Sequence, residues 1–219
     1  MNSSPGTLTF GRPAPGQPLF VVAARAEATA FDHALPVLVT GIGKIRSAAA
    51  LAACLAAYEA AGGLPSAVVN IGTAGALRAH MIGVHRVETV LLHDFSHFAV
   101  RKITGMDEYP PLHVGPRDDE VAEARPGTAV TTPGNGVVLA TGDTFVADSA
   151  VRDALAEQAD LVDMEGYAIA QVAHDFGVPV ELIKHVSDAA DETSGDVWAA
   201  RAAELAEEIA GHARSRASR

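Results

Sequence analysis

Two acidic residues stand at the ends of predicted strands in the stretch from Leu161 to Glu192. Glu165 follows a short apolar run, and Asp188 follows a β-branched run with Ser187 directly before it. The carboxyl ends of strands in an open α/β sheet are where ligands bind. Two carboxyl groups there could protonate a leaving group and stabilise a developing positive charge. Each has a structural alternative, Glu165 as an acid favoured by a helix dipole and Asp188 as a cap or turn residue.

The segment between these acids predicts a helix followed by a strand. Met164, Ala168, Val172 and Phe176 recur every four residues, which indicates one buried face of a helix. Gly177 permits the left-handed conformation that commonly ends a helix. The β-branched run from 178 to 186 then predicts a strand. Both acids are therefore expected at adjacent strand ends of one sheet.

The chain upstream repeats a pattern of a buried strand followed by a glycine-containing turn and a helix. Glycines at such turns allow a backbone to approach a ligand closely. In the turn that begins at Gly72, the hydroxyl of Thr73 is the chemically useful atom, or else a turn hydroxyl bonding its own backbone. Strands are predicted at 19–24, 37–39, 67–71, 86–92 and 136–141, and helices at 44–61, 148–158 and 196–212.

Composition limits the classes of protein that the chain can represent. Its 219 residues, 48% of them hydrophobic, suit one α/β domain with a full core. The net charge of −11 argues against binding nucleic acid or an anionic membrane. The lone Cys54, inside an alanine-rich run, is expected to be a buried, inert thiol. No apolar run reaches the ~18 residues of a membrane helix, and no secretory signal is visible, so a cytoplasmic location is expected.

The ends and one internal segment have weak patterns. Residues 1–17 are rich in Ser, Pro and Gly and predict a flexible tail or a loosely docked arm, so the domain is placed at 18–214, with a frayed end at 215–219. Residues 101–126 are polar and are expected to include a mobile flap. The spacing of His93, Asp94 and His97 does not match a metal-binding helix, and we expect no metal.

Five short motifs, in this order along the chain, resemble the superfamily of purine nucleoside phosphorylases and 5′-methylthioadenosine/S-adenosylhomocysteine nucleosidases. The 162–170 segment is similar to its Met-Glu signature, and 186–191 to its Ser-Asp-x-Ala-Asp loop. The other three motifs are 41–44, 70–75 and 141–146. The resemblance covers most of the chain from about Leu19 onward. It implies a single-domain, three-layer α/β/α sandwich with a central mixed, twisted sheet.

The resemblance also implies a role for individual residues. Asp188, in a loop with Ser187, would be the general acid that protonates the purine, a role that burial of the carboxyl favours. Glu27 would orient the attacking water, unless it is only a surface helix acid. Glu165 would hold the ribose hydroxyls. Met164 would pack against the sugar, and Thr73 and Gly72 would lie beside the ribose and the water. Phe145 would stack on the base, and Val146 would lie at the base edge. Phe145 and Val146 could instead simply fill the core. No cofactor is required.

The sequence is compatible with four functions. The first is hydrolysis of a purine nucleoside of the methylthioadenosine type. The second is phosphorolysis, although the bacterial phosphorylases carry Gly-Asp-Pro-x-Arg and Arg-x-Gly-Ser segments where this chain has 23–28 and 70–75. The third is hydrolysis of a futalosine-type substrate, and the fourth is nucleoside binding without catalysis. A homodimer is expected from the family and from the frequency of two-fold dimers.

Overall fold

A computed structural model describes residues 8–114 and 136–217. Its elements in chain order are β1 (Leu19–Val22), β2 (Val37–Val39), α1 (Lys44–Ala60), β3 (Val68–Ala76), β4 (Val84–Leu92), α2 (His97–Thr104), β5 (Leu112–His113), β6 (Val137–Thr141), α3 (Ser149–Leu155), β7 (Leu161–Asp163), α4 (Gly166–Asp175), β8 (Val180–Asp188), α5 (Ser194–Glu204) and α6 (Ala206–Ala217). Within the described ranges, no helix is both long enough and apolar enough to cross a lipid bilayer. The predicted strands and the α1 helix are found close to their expected positions, but β3 continues through 72–76, where the sequence predicted a turn.

The strands form one mixed sheet, as predicted, but part of the sheet closes on itself. β3 is parallel to β1 and β8, β8 is antiparallel to β4, and β4 is parallel to β6. β6 is parallel to β7, and β7 returns to pair antiparallel with Gly75 and Ala76 of β3. The pairings therefore make a ring of β3, β8, β4, β6 and β7. The length of β3 makes this possible, because its first residues pair with β1 and its last two with β7.

Helices cover both faces of the sheet, which confirms the three-layer prediction. On one side α1 buries a stripe of residues at helical spacing, consisting of Leu51, Cys54, Leu55 and Tyr58. On the other side α6 contributes Ile209, Ala210 and Ala213 to a second apolar core. Burial raises the pKa of the Cys54 thiol to about 11, in keeping with the expected inert cysteine.

Helix α4 is present as predicted, but the expected buried face is wrong. Met164, Ala168, Val172 and Phe176 are only partly buried, whereas the fully buried positions are Tyr167, Ile169, Ala170 and Ala173. The reason is that α4 packs against both α1 and several strands, so a four-residue repeat does not describe its contacts. The helix stops where predicted, and Gly177 has φ 68°.

Two other predictions about elements need correction. The single helix expected over 196–212 is two helices, with a break at Leu205, whose side chain is buried in the second core. No glycine or proline marks this break. The end expected to fray from 215 is helical to Ala217, and Arg216 there makes an ion pair of 2.7 Å with Glu181.

Residues 8–17 lie against the domain instead of extending away from it. Phe10 forms an isolated antiparallel bridge with Val37 at the edge of β2, and its ring stacks on His33. The Thr9 hydroxyl accepts the N–H of Val39. These contacts fit the docked arm that the sequence left open, whereas residues 1–7 lie outside the described residues. Of the predicted flap, residues 101–104 belong to α2 and 112–113 form β5, and 115–126 are likewise outside the described part.

Candidate active site

Glu27 is buried just after β1, with its carboxylate held by donors from two segments. Only 2% of its surface is exposed, so it is not the surface helix acid of the alternative interpretation. Oε2 accepts the N–H of Ala24 at 2.9 Å. Oε1 accepts both the N–H of Thr73 at 2.9 Å and the Thr73 hydroxyl at 3.0 Å. The carboxylate has therefore a fixed orientation, which is what a group that orients water requires.

Thr73 and Gly72 lie at the point of β3 that faces Glu27. A Cβ on residue 72 would come within 3.3 Å of Oε1 of Glu27, so glycine leaves room for that carboxylate. Thr73 does not use its hydroxyl on its own turn, since the hydroxyl donates to Glu27 and accepts from the indole N–H of Trp198 at 2.9 Å. Trp198 was missed by the sequence analysis because it lies on α5, outside all five motifs.

Glu165 occupies the residue before α4, but its side chain does not cap that helix. Its Oε1 accepts instead the N–H of Gly43 at 2.8 Å, which joins the Met-Glu segment to the glycine turn before α1. Gly43 has φ 96°, a conformation that glycine adopts without strain. Burial, with a further contribution from the nearby Asp163, raises the pKa of the Glu165 carboxyl to about 7. Glu165 can therefore hold a proton near neutral pH.

A buried ion pair lies beside Glu165. Asp163, the last residue of β7, is 2.8 Å from the ammonium of Lys184 on β8, and both side chains are almost completely buried. Asp163 also accepts the hydroxyl of Thr141 at 2.6 Å and the N–H of Gly166 at 2.8 Å. The ammonium also donates to Oδ1 of Asn70 on β3 at 2.7 Å. This network links β3, β6, β7 and β8 at the carboxyl end of the sheet.

Asp188 ends β8 and is turned toward its own loop. Its Oδ2 accepts the hydroxyl of Ser187 at 2.8 Å, and its Oδ1 accepts the N–H of Ala190 at 3.0 Å. Oδ1 also lies close to Gly75, at an irregularity in the pairing of β3 with β8. The prediction that Glu165 and Asp188 follow adjacent strands is wrong, because β7 and β8 each pair with β3, which lies between them.

A cavity of about 110 Å³ opens between these segments. Among the described residues it is lined by Ala23, Ala24, Glu27, Ile42, Thr73, Phe145, Asp163, Met164, Glu165 and Trp198. The structure thus brings together five of the predicted site residues, from four separate segments of the chain. Phe145 is 44% exposed, which suits a ring that stacks on a ligand better than one that fills the core.

The other predicted site residues do not line this cavity. Gly72 lies against Glu27, and Val146 is buried in an apolar cluster with Leu155 and Val162, in the core-filling position that was its alternative. Ser187 and Asp188 bond to each other and to their own loop. Access of Asp188 to a substrate would require its carboxyl to turn away from these partners.

Asp94 and His97 have partners other than a metal, whereas the buried Nε2 of His93 has no hydrogen-bond partner among the described residues. Asp94 forms an ion pair with Lys44 and accepts the N–H of Asp143, while a ring nitrogen of His97 bonds the carbonyl of Leu92. Over 8–114 and 136–217, no group of three or more His, Cys, Asp or Glu side chains is arranged to hold a metal ion. The loop instead ties the start of α1 to the turn before Phe145.

Comparison with known proteins agrees with this arrangement. The sequence profile of the Phosphorylase superfamily matches residues 29–219. The chain belongs to this superfamily, as the five motifs predicted. Among curated relatives, a 5′-methylthioadenosine/S-adenosylhomocysteine nucleosidase of Bacillus cereus (strain G9842) is 32% identical over 173 residues, which cover 74% of this chain and 71% of the relative. A nucleosidase of the same name from Bacillus anthracis (strain A0248) has the same identity and coverage.

Solved structures show the same fold. The 5′-methylthioadenosine/S-adenosyl homocysteine nucleosidase of Helicobacter pylori matches with a TM-score of 0.72 at 20% identity, covering 94% of this chain and 99% of its own. The futalosine hydrolase of Helicobacter pylori also matches with a TM-score of 0.72, at 21% identity, covering 93% and 98%. The two similarities are equal, so the fold does not separate these two activities.

Proposed function

We propose that the protein hydrolyses the N-glycosidic bond of a purine nucleoside of the 5′-methylthioadenosine/S-adenosylhomocysteine type. The observation that carries the proposal is the acidic lining of the cavity. The ionisable side chains of its wall, among the described residues, are the carboxyl groups of Glu27, Asp163 and Glu165, of which Asp163 is balanced by the ammonium of Lys184. Such a wall stabilises a sugar that becomes oxocarbenium-like, and it suits water as the nucleophile.

Each side chain has a place in the proposed reaction. Glu27 orients water toward the anomeric carbon, since its carboxylate is held by three donors and keeps acceptor capacity on Oε2. Glu165 binds the ribose hydroxyls, with Met164 against the sugar. Phe145 stacks on the purine. Asp188 protonates the departing base after its carboxyl turns toward the cavity.

Of the arginines that could bind phosphate, Arg78 and Arg86 have acidic partners, whereas the exposed Arg25 is two residues from Glu27, which would repel a phosphate. Arg78 lies 2.9 Å from Asp160, and Arg86 lies 3.0 Å from Glu181. The exposed Arg46 packs its stem beside Gly41 and does not line the cavity. Among the described residues that line the cavity, a phosphate dianion would meet carboxylates and no arginine, which disfavours a phosphorylase.

The substrate class rests on the sequence relatives. The 32% identical proteins are methylthioadenosine/S-adenosylhomocysteine nucleosidases, and one Helicobacter pylori nucleosidase of this fold was crystallised with 5′-methylthioadenosine in its active site. A futalosine-type hydrolase is the second candidate, because the fold of this chain is equally similar to the futalosine hydrolase and to the nucleosidase of Helicobacter pylori. Nucleoside binding without catalysis is disfavoured by the presence of both Glu27 and Asp188.

We also propose a symmetric homodimer. The α2 helix exposes Phe98 and Ile103, each 83% exposed, and Ile45 near the start of α1 is 81% exposed. Lys44, next to Ile45, forms an ion pair with Asp94 in the loop before α2, so the start of α1 lies near that loop. An exposed apolar area of this kind marks an interface, and self-association through a two-fold axis is the commonest solution. Light scattering that gives the mass of a monomer at micromolar concentration would contradict the proposal. The cytoplasmic location remains a prediction from the sequence.

A panel of nucleosides tests the function. We expect release of adenine from 5′-methylthioadenosine and S-adenosylhomocysteine. We expect slow or no release of a 6-oxopurine from inosine or futalosine. Chromatography of the free base measures both. Preferred cleavage of futalosine would favour the second candidate. Binding of 5′-methylthioadenosine without release of any base would support the non-catalytic alternative and contradict the proposal.

A further inference from the structure

We infer that Trp198 is a positioning residue for the hydrolytic step: its indole N–H fixes the Thr73 hydroxyl so that the hydroxyl's hydrogen points to Glu27. The inference rests on the proposed function and deepens it, because Glu27 is the group assigned there to orient water. Trp198 belongs to none of the motifs, and its side chain lines the cavity from α5.

Three residues from separate segments form a chain of hydrogen bonds. Nε1 of Trp198 donates to Oγ1 of Thr73 at 2.9 Å, and Oγ1 of Thr73 donates to Oε1 of Glu27 at 3.0 Å. Trp198 is 125 positions from Thr73 in the sequence, and Thr73 is 46 positions from Glu27. Their convergence depends on the packing of α5 against β8, which pairs with β3.

The direction of the chain follows from the chemistry of the groups. An indole N–H can only donate, and a carboxylate can only accept. The hydroxyl of Thr73 stands between them with a single hydrogen, so it must accept from Trp198 and give that hydrogen to Glu27. Without the indole donor the hydroxyl could rotate and offer its hydrogen elsewhere, including to the water that Glu27 is proposed to hold.

The two carboxylate oxygens of Glu27 therefore have different hydrogen-bond partners. A carboxylate offers about four acceptor positions. Oε1 receives two donors from Thr73, and Oε2 receives one from Ala24. The unused acceptor position is therefore on Oε2. Trp198 helps to saturate Oε1, which leaves Oε2 as the oxygen that faces water.

Helix α5 is itself tied to the loop of the proposed general acid. Arg201, one turn after Trp198, donates to the backbone carbonyl of Ser187 at 3.2 Å. At the start of the helix, the buried Ser194 accepts the N–H of Asp191 through its hydroxyl. The same helix thus touches the residues on both sides of the glycosidic bond, the water side through Thr73 and the base side through Ser187.

The hydrogen bond can be observed directly, because Trp198 is the only tryptophan of the chain. In ¹⁵N-labelled protein, the indole N–H gives a single cross-peak. We expect that cross-peak to move upfield in proton shift in Thr73→Val, which lacks the acceptor, and to stay near its wild-type position in Thr73→Ser, which keeps it. An unchanged cross-peak in Thr73→Val would overturn the inference.

The kinetic test is a double-mutant cycle on a cleaved nucleoside. Trp198→Phe, which keeps an aromatic wall but removes the donor, should lower kcat by about 5- to 20-fold, the range of one or two neutral hydrogen bonds. In the Thr73→Val background the same change should have little further effect on kcat. In the Thr73→Ser background the effect should return. Single-turnover measurements extend the cycle to slow variants.

Three kinetic outcomes would overturn the inference. They are an unchanged kcat in Trp198→Phe, a loss confined to KM, and an equal loss of kcat in the Thr73→Val background. The first two would leave Trp198 as a wall of the cavity only. If the wild-type protein cleaves no nucleoside of the panel, the proposed function fails, and the hydrolytic role of Trp198 fails with it. Cleavage by wild type with an unaffected Trp198→Phe overturns the inference alone.

Discussion

The ammonium of Lys184 lies 2.8 Å from the carboxylate of Asp163, and neither side chain is more than 2% exposed. Removing two charges from water is costly, and only good geometry with further hydrogen bonds offsets the cost. Those bonds come from Thr141, Gly166 and Asn70. The ion pair lies next to Glu165, where Asp163 raises the pKa of the carboxyl and Lys184 lowers it. The ion pair therefore connects four strands of the sheet and also influences the protonation of Glu165 in the cavity wall.

Lys184→Met is expected to destabilise the protein strongly. The change leaves Asp163 buried without its cation, and breaking a buried pair in this way costs about 3–5 kcal/mol. Urea denaturation measures the loss. The matched control is Arg101→Met, which breaks the exposed pair with Asp107 and should cost about 0–1 kcal/mol. Equal effects of the two changes would contradict the assigned role of the buried pair.

Asp188→Asn should retain the fold and lose most of the rate. The amide keeps an acceptor for the N–H of Ala190 but cannot give a proton to the purine. Loss of general acid catalysis lowers kcat by about 10²- to 10⁴-fold. Steady-state release of adenine measures it, with Asp196→Asn in the first turn of α5 as an exposed control. A variant with near-native turnover would remove Asp188 from this role.

Glu165→Gln should lower activity and change how stability depends on pH. The pKa of this carboxyl is about 7 in the folded protein, above its ordinary value of 4.5, so the folded state binds more protons between these values. The stability from Glu165 is fully present below about pH 4.5 and is lost as the pH rises through about 7. Glutamine keeps the acceptor for Gly43 and removes the titration.

Thermal melts at pH 5 and pH 8 measure this difference. At pH 8 the variant should be more stable than wild type, by on the order of 1–3 kcal/mol, and at pH 5 the two should be similar. Glu59→Gln, on the exposed face of α1, is the control. The assignment of Glu165 to the ribose would be wrong if the variant discriminated between ribonucleosides and 2′-deoxynucleosides as wild type does.

His185 should make the protein sensitive to acid. Its ring is 1% exposed under α6, beside His212 and with Glu208 at 3.5 Å, and neither ring nitrogen has a hydrogen-bond partner within the described part of the chain. Burial, and then the nearby His212, lower the pKa of His185 to about 4, against a weaker effect of Glu208. The stability from the neutral ring is present above about pH 6.5 and is lost as the pH falls toward 4.

His185→Leu removes this titration. Its free energy of unfolding should fall less than that of wild type between pH 7 and pH 4, by on the order of 1–3 kcal/mol. Urea denaturation at both pH values measures the change. A variant that loses as much stability in acid as wild type would show that the acid sensitivity arises elsewhere.

Local patterns and motifs predicted much of the fold and the site. The family resemblance assigned Glu27, Thr73 and Glu165 to one site, and all three line the same cavity. The closure of the sheet depends on only two residue pairs between β3 and β7, and no local sequence pattern predicts this contact. Trp198 could not be found because its contact with Thr73 spans 125 residues and uses no motif.

The measurement that most directly tests the central claim is the identity of the sugar released from 5′-methylthioadenosine across a phosphate titration. The carboxylates that line the cavity predict water as the nucleophile, and the pairing of Arg78 and Arg86 with acids disfavours a phosphate site. We expect free sugar, formed at a rate that does not depend on phosphate. A sugar 1-phosphate, formed only when phosphate is present, would contradict the account.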